Sequence, residues 1–430
     1  MRVLMLSQFY APIIGGEEQH VRNLSHKLAA RGHQVAVATL QQRGLPATER
    51  DGAVRLYRVP SLTQRAPWLY SDAERTHAAP LPDPETVWGL KAVVEREQPD
   101  IVHAHNWLLH AYLPLRMFSH RPFIVTLHDY SLACATKRLV RQGEPCTGPG
   151  LSKCLACAGQ HYGPTKGTLT TVANWAMGTA ESRLVDIFLA VSEATALGNQ
   201  LKARGLPYRV VPNFIPDEVN DPAEPYDARL IEQLPERYML FVGDLSHDKG
   251  VDVILEAYRR LTNPPALVMI GRPFPDTPTR LPPNVHKFYK WPHSSIMEAW
   301  RRSLFGLAPS TWGEPCGTVV LEAMAAGRAV IVSNIGGLPD LIVPEQTGLL
   351  VKANDPISLQ LAMQRLLADP AKMDSLGHAG RTHVHRFMAD TVVPKIEAVY
   401  RALLDRNAGR AGSTAALETT AEAPRQARDV

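Results

Sequence analysis

The stretch from Val3 to Leu40, VLMLSQFYAPIIGGEEQHVRNLSHKLAARGHQVAVATL, decides the fold class. Val3 to Ser7 is a short apolar run, Gly15-Gly16 makes a turn, Glu18 to Arg31 carries a helical pattern, and Gln34 to Leu40 is a second apolar run. Strand, glycine turn, helix and strand form the opening unit of a doubly wound parallel sheet. Outward from it, apolar runs recur at Ile101 to His105, Phe123 to Leu127 and Ile187 to Val191, with helical patterns such as Thr86 to Glu97 and Ala173 to Val185 between them. The chain turns loop-like through Pro216, Pro222 and Pro225, and the alternation restarts at Tyr238 to Val242. Helix Val251 to Leu261, strands Ala266 to Ile270 and Val285 to Phe288, helices Ser294 to Arg302 and Thr318 to Ala326, and strand Ala329 to Val332 follow. We therefore expect an α/β protein of two facing Rossmann-like domains, residues 1–212 with a cysteine-rich insertion at 134–157, and residues 213–388. A C-terminal helix over 389–406 and a disordered tail over 407–430 complete the expected layout.

The composition narrows the function. Of 430 residues, 45% are hydrophobic and 20% charged, a globular balance that excludes a disordered regulator or a fibrous protein. Forty-six Lys plus Arg against 42 Asp plus Glu leave a net charge of +4 with no basic stripe, so nucleic acid is not an expected partner. No run approaches the ~20 apolar residues of a spanning helix, and the apolar start is too short for a signal peptide, so a cytoplasmic protein is expected. The modest positive balance is compatible with transient contact at the inner face of the membrane.

In an open parallel sheet, ligands bind beyond the carboxyl ends of the strands, so two facing sheets place a site in the cleft between them. Gly15 and Gly16 follow the first strand and open a helix, where backbone N–H groups favour anions; a tight turn packed against a neighbouring strand is the alternative. The segment WGEPCGTVVLEAMAAG, Trp312 to Gly327, is more informative. Glu314 stands in a glycine and proline loop and Glu322 in the helix that follows, so both carboxylates can face one cavity. The unpaired N–H groups of Gly317, Thr318 and Val319 suit a phosphate between them. A solvated helix residue is the ordinary fate of a Glu, yet Glu322 sits in a run of apolar and small residues where an unpaired charge is costly.

At these residues the chain resembles the family-4 glycosyltransferases, retaining enzymes of the GT-B fold. The resemblance rests on the Glu314 to Glu322 spacing followed by EAMAAGRAVIVSNIGGLPDLI, and extends through GGEEQHV, PDIVHAHNW, VTLHD, LAVSEAT, VPN and FVGDLSHDKG, covering roughly residues 1–405. It implies that Glu314 contacts the donor sugar's hydroxyls, Glu322 the ribose, Lys249 the diphosphate and His128 the donor sugar as a hydrogen-bonding group. It further implies that the C-terminal helix crosses back to the first domain. The implied reaction moves a sugar from a nucleotide diphosphate donor to a hydroxyl acceptor on a glycan, lipid or small molecule, with retention at the anomeric carbon and no catalytic divalent metal. Asp244 stands where the family usually has Arg, and Arg272 is the candidate to replace that guanidinium. Asp340 stands where Glu is more frequent, and Cys316, where an aromatic is common, is expected to be a packing residue. A GT-B enzyme of other chemistry, such as a nucleotide-sugar epimerase or a pyridoxal-dependent phosphorylase, is one alternative. A non-catalytic nucleotide-sugar binding protein is the other.

Four of the five cysteines, Cys134, Cys146, Cys154 and Cys157, crowd into one glycine- and proline-bearing stretch. Such a loop has little to bury, and four thiolates around one tetrahedral ion would supply the missing folding energy. A structural zinc ion is the reading, with an iron–sulfur cluster or unliganded thiols as alternatives.

Overall fold

The computed structural model describes residues 1–13, 15–65, 77–221 and 225–409. Much of the expected tail, 410–430, lies outside the described residues. The chain divides into two compact units, one of Met1–Gln142, Cys146–Pro212 and the chain from Val393, the other of Asn213–Val392 with Gly143–Pro145.

In order, the elements of the first part are β1 (Arg2–Leu6), α1 (Gly16–Ala30), β2 (Gln34–Leu40), β3 (Thr48–Asp51), β4 (Val54–Val59), α2 (Pro84–Glu97), β5 (Ile101–Ala104), α3 (Leu109–Arg116) and β6 (Phe123–Leu127). The short strands β7 (Val140–Arg141) and β8 (Glu144–Pro145) precede α4 (Leu151–Tyr162), α5 (Pro164–Leu184), β9 (Ile187–Ala190), α6 (Glu193–Gly198) and β10 (Tyr208–Val210). The sheet of this unit runs β10-β9-β6-β5-β1-β2-β4-β3, and every neighbouring pair is parallel except β3 with β4.

The second unit begins with α7 (Ala228–Ile231), β11 (Tyr238–Val242), α8 (Val251–Arg259), β12 (Ala266–Ile270), β13 (Val285–Phe288), α9 (His293–Arg302) and β14 (Phe305–Ala308). Then come α10 (Thr318–Ala325), β15 (Ala329–Ser333), β16 (Leu349–Val351), α11 (Pro356–Ala368), α12 (Pro370–His383) and α13 (Ala389–Asn407), of which the last runs into the first unit. Its sheet, β13-β12-β11-β14-β15-β16, is parallel throughout.

A continuous apolar run, rather than an alternating one, is what a strand covered on both faces requires. In β11, Leu240 and Val242 enter one core with Val268 and Ile270, while Met239 and Phe241 enter the opposite one with Leu267 and Met269. Helix starts are equally local in origin. Asp83-Pro84, Asp355-Pro356 and Asp369-Pro370 each pair a carboxylate that accepts backbone N–H bonds with a proline whose φ suits the first helical turn.

Two expectations need correction. The cysteine stretch is not all loop, because residues 151–162 form α4: LSKCLACAGQHY is rich in Leu, Ala and Cys and lies between Gly150 and Gly163, which start and stop it. The helix expected over Ala173 to Val185 starts instead at Pro164, whose ring tolerates the first helical position.

Candidate active site

At the carboxyl ends of β11 and β14, the second unit gathers most of its polar residues of interest. Lys249 follows β11 in a turn closed by Gly250, at φ 78°, where a Cβ would come within 1.9 Å of the Pro309 carbonyl oxygen. Only glycine lets these two loops touch. Lys249 Nζ donates to Glu314 Oε1 at 2.5 Å, and Ser310 Oγ donates to Glu314 Oε2 at 2.6 Å. Glu314 is buried, which works to raise its carboxyl, but the Lys249 ammonium and the Ser310 hydroxyl outweigh burial and hold it below the ordinary carboxylate value.

The Glu314 loop is clamped from behind. Gly336, at φ 60°, would carry its Cβ within 2.5 Å of the Glu314 carbonyl oxygen, and Gly337 N–H donates to that oxygen at 2.7 Å. Glycines in SNIGGLPD thus let one loop lie flat on another. Gly317 caps α10 without any side-chain hydrogen bond, so Thr318 and Val319 begin a helix whose first N–H groups are offered to a ligand or water. Glu322 lies one turn further on and is engaged separately: His293 Nε2 stands 3.0 Å from its Oε1. That hydrogen bond raises the His293 pKa, against the opposing effect of burial.

Arg272 lies at the end of β12 and grips Asp244 through two bonds, Nε to Oδ1 at 3.2 Å and Nη2 to Oδ2 at 3.1 Å. Its guanidinium also stands 4.8 Å from the Phe274 ring centroid. Cys316 packs against the core of this unit, and burial pushes its thiol up to about 12.

In the first unit, Gly15 is the N-cap of α1, and a Cβ on Gly16 would meet nothing within 4 Å, so packing does not demand glycine there. His128 follows β6 directly, its Nε2 3.1 Å from His105 Nδ1. Glu17, in the first turn of α1, contacts Asn106 and is pushed well above the ordinary carboxyl value by burial, by Glu18 and by Asp129. Cys154 and Cys157 stand one turn apart on α4. Burial, reinforced by Cys134, Cys146 and Cys154, raises the Cys157 thiol. Among the described residues, however, no three of these sulfurs lie within 4.8 Å of one another, and each has its own hydrogen-bonding neighbour.

Lys249 with Glu314 are therefore brought together, as are Gly317, Thr318 and Val319 at one helix start, while Glu322 has a partner of its own. Ser310 and His293 are site residues that sequence reasoning passed over. Ser310, four residues before Glu314, carried a spacing signal; His293, 29 residues from Glu322, carried none.

A doubly wound second unit, with an acid–ammonium pair beside an uncapped helix start, and another doubly wound unit on the same chain are the architecture of the GT-B fold. Two family models match in tandem, Glycosyltransferase Family 4 over residues 14–219 and Glycosyl transferases group 1 over residues 224–383. The chain belongs to the family-4 glycosyltransferases and is an enzyme of sugar transfer from a nucleotide sugar. It is 28% identical to the glycogen synthase of Mycobacterium tuberculosis, over 94% of this chain and 95% of that protein. It is 27% identical to the alpha-maltose-1-phosphate synthase of Mycolicibacterium smegmatis, over 93% of this chain and 99% of that one. Among solved structures, sucrose-phosphate synthase from Thermosynechococcus elongatus has the same fold, with a TM-score of 0.73 at 23% identity over 94% of this chain and 99% of that one. Among the described residues, no helix is long and apolar enough to cross a membrane.

Proposed function

We propose that the chain is a retaining glycosyltransferase that uses a nucleotide diphosphate sugar and a hydroxyl acceptor. The observation that carries this reading is the Lys249–Glu314–Ser310 cluster beside the open start of α10. Glu314 receives the hydroxyls of the transferred sugar, Glu322 the ribose, and Lys249 with the N–H groups of Gly317, Thr318 and Val319 the diphosphate. Arg272, held by Asp244, supplies a guanidinium in the same region. In the first unit, His128 hydrogen-bonds the sugar, and Gly15 and Gly16 offer backbone N–H groups without a side chain in the way.

When the sugar–phosphate bond breaks, charge develops on the leaving diphosphate, and fixed positive groups stabilise that charge without reorganising. The departing phosphate takes the acceptor hydroxyl's proton on the face it leaves, so attack comes from that face and configuration is kept. A screen of donor hydrolysis over nucleotide sugars, repeated with Glu314→Ala, tests the reading. Hydrolysis of one donor class, lost in the variant, is expected; an unchanged rate removes Glu314 from the site.

Cys134, Cys146, Cys154 and Cys157 we assign to a structural zinc ion, supported by Cys154 and Cys157 sharing one helix turn and by the influence of the other three sulfurs on Cys157. Binding would have to draw the sulfurs closer than they stand. One zinc per chain by elemental analysis, with a lower Tm after chelation, is expected; metal-free protein of unchanged Tm refutes it, and iron with sulfide in its place reassigns the ligand.

Transient contact with an anionic membrane surface is supported by Leu169, Val172 and Trp175, exposed at three-residue spacing along α5, with Lys166 on the same helix. Sedimentation with phosphatidylglycerol vesicles, weaker with phosphatidylcholine and lost in Trp175→Ser, is the expected result. Equal absence of binding to both vesicles overturns it.

A further inference from the structure

Three histidines from three separate segments converge in the first unit: His20 on α1, His105 just past β5 and His128 just past β6. One nitrogen from each lies within 4.8 Å of the other two. The rings are mutually packed, with His105 stacked on His128 at 5.4 Å between centroids and His20 edge-on to His128 at 4.8 Å. His105 Nε2 is buried with no hydrogen-bond partner, although its Nδ1 meets His128 Nε2 at 3.1 Å.

A neighbouring histidine shows what a structural imidazole looks like in this unit. His103 has both nitrogens engaged at 2.7 Å, one with Tyr400 Oη and the other with Thr126 Oγ1. It packs against His105 at 4.3 Å between ring centroids, with both of its own nitrogens engaged. His105, by contrast, keeps a nitrogen uncommitted.

Three converging imidazoles are a donor set for a borderline cation. Magnesium and calcium want oxygen ligands, whereas zinc, cobalt, nickel and copper accept nitrogen readily. Three protein ligands also leave a coordination position open.

We propose that His20, His105 and His128 form a binding site for a divalent transition-metal ion of the zinc class, and that filling it switches transfer off by taking His128 from the sugar. The switching clause rests on the role given to His128 above; the binding clause does not. Ligation and sugar contact both call on the His128 ring, so metal and donor compete for one side chain.

Co2+, titrated into chelator-stripped full-length protein, is the probe. A component of the visible ligand-field bands that saturates independently of the thiolate-to-cobalt charge-transfer band of the four cysteines is expected, because its ligands are nitrogen, and only this component should be lost in the histidine variants. His20→Gln should weaken the nitrogen-type binding by at least the roughly 10- to 100-fold that loss of even an outer-sphere partner costs a metal site. Should His20→Gln not fold, as judged by circular dichroism, His105→Gln serves the same purpose. Absence of nitrogen-type bands, or binding that both variants retain, overturns the site. Donor hydrolysis should fall in step with the ligand-field bands and be spared in His20→Gln at the same Co2+ concentration. Saturated binding with undiminished hydrolysis overturns the switch and leaves the site. If no nucleotide sugar is hydrolysed by metal-free protein, the functional reading fails while the spectroscopic test of the site stands.

Discussion

The ion pair of Lys249 with Glu314 shows how much a single contact can carry. Glu314 is nearly enclosed, so removing its cation leaves a desolvated carboxylate without compensation. Lys249→Met should cost about 2 kcal/mol, below the 3–5 kcal/mol of a fully buried pair because Lys249 keeps some solvent contact, and denaturant midpoints will measure it. Its effect on donor turnover should be larger, about 10²- to 10³-fold in kcat/KM, as for loss of one group stabilising a leaving charge. Because the folded-state pKa of Glu314 lies below its ordinary 4.5, the pair's contribution is present above that value and is lost as pH falls through the folded pKa. His293 has the opposite sign. Its pKa is raised by Glu322, so their contact contributes fully below the ordinary 6.5 and is lost as pH rises through the raised value. An NMR titration should place His293 above 6.5, and Glu322→Gln should bring it back down; an unshifted His293 in the intact protein contradicts the contact. The sequence made Glu314, Glu322 and Lys249 conspicuous because acid and base stood in glycine-bearing segments. It could not announce His293, whose partner is reached only after a strand and a helix intervene.

Elements were legible wherever a local rule acted alone. Apolar runs of four to seven residues became parallel strands because both faces are covered, and Asp-Pro pairs became helix starts. The rule failed at residues 151–162, where the glycines and prolines of the preceding segment outweighed a short stretch of good helix formers. Loop contacts were less legible still. Gly336 reads from sequence as a turn residue, yet its requirement comes from the Glu314 backbone pressed against it. Gly336→Ala combines a positive φ with a Cβ inside contact distance, so it should destabilise by about 1–3 kcal/mol and weaken donor binding through Glu314 without touching the donor. Calorimetry with and without nucleotide will separate the two effects; an unaltered Tm would show that the SNIGG loop yields easily.

Across the molecule, buried imidazoles set a common response to acid. His20 and His103 stay neutral in the fold down to about 3 but protonate near 6.5 once unfolded. The unfolded chain therefore binds more protons throughout that window, and stability falls as pH falls, by about 1.4 kcal/mol per pH unit for each such group. Urea midpoints at pH 7, 6, 5 and 4 should decline steadily, and a flat series would place these rings in contact with water. Such long-range arrangements were the least visible part of the sequence. Periodicity marks a helix over 389–406, but nothing local says that Tyr400 meets His103, 297 positions earlier, or that Glu397 meets Arg31 at 2.8 Å and His33 at 2.6 Å.

Helix α13 makes the first unit a structure closed by a part of the chain that is synthesised after the whole second unit. During translation, the hydroxyl that His103 needs and the carboxylate that Arg31 needs arrive only after the whole second unit has emerged, roughly 10–40 s later at ordinary elongation rates. A nascent first unit must wait through that interval with a polar seam unsealed, which makes it the portion of the newborn chain most in need of a chaperone's shelter.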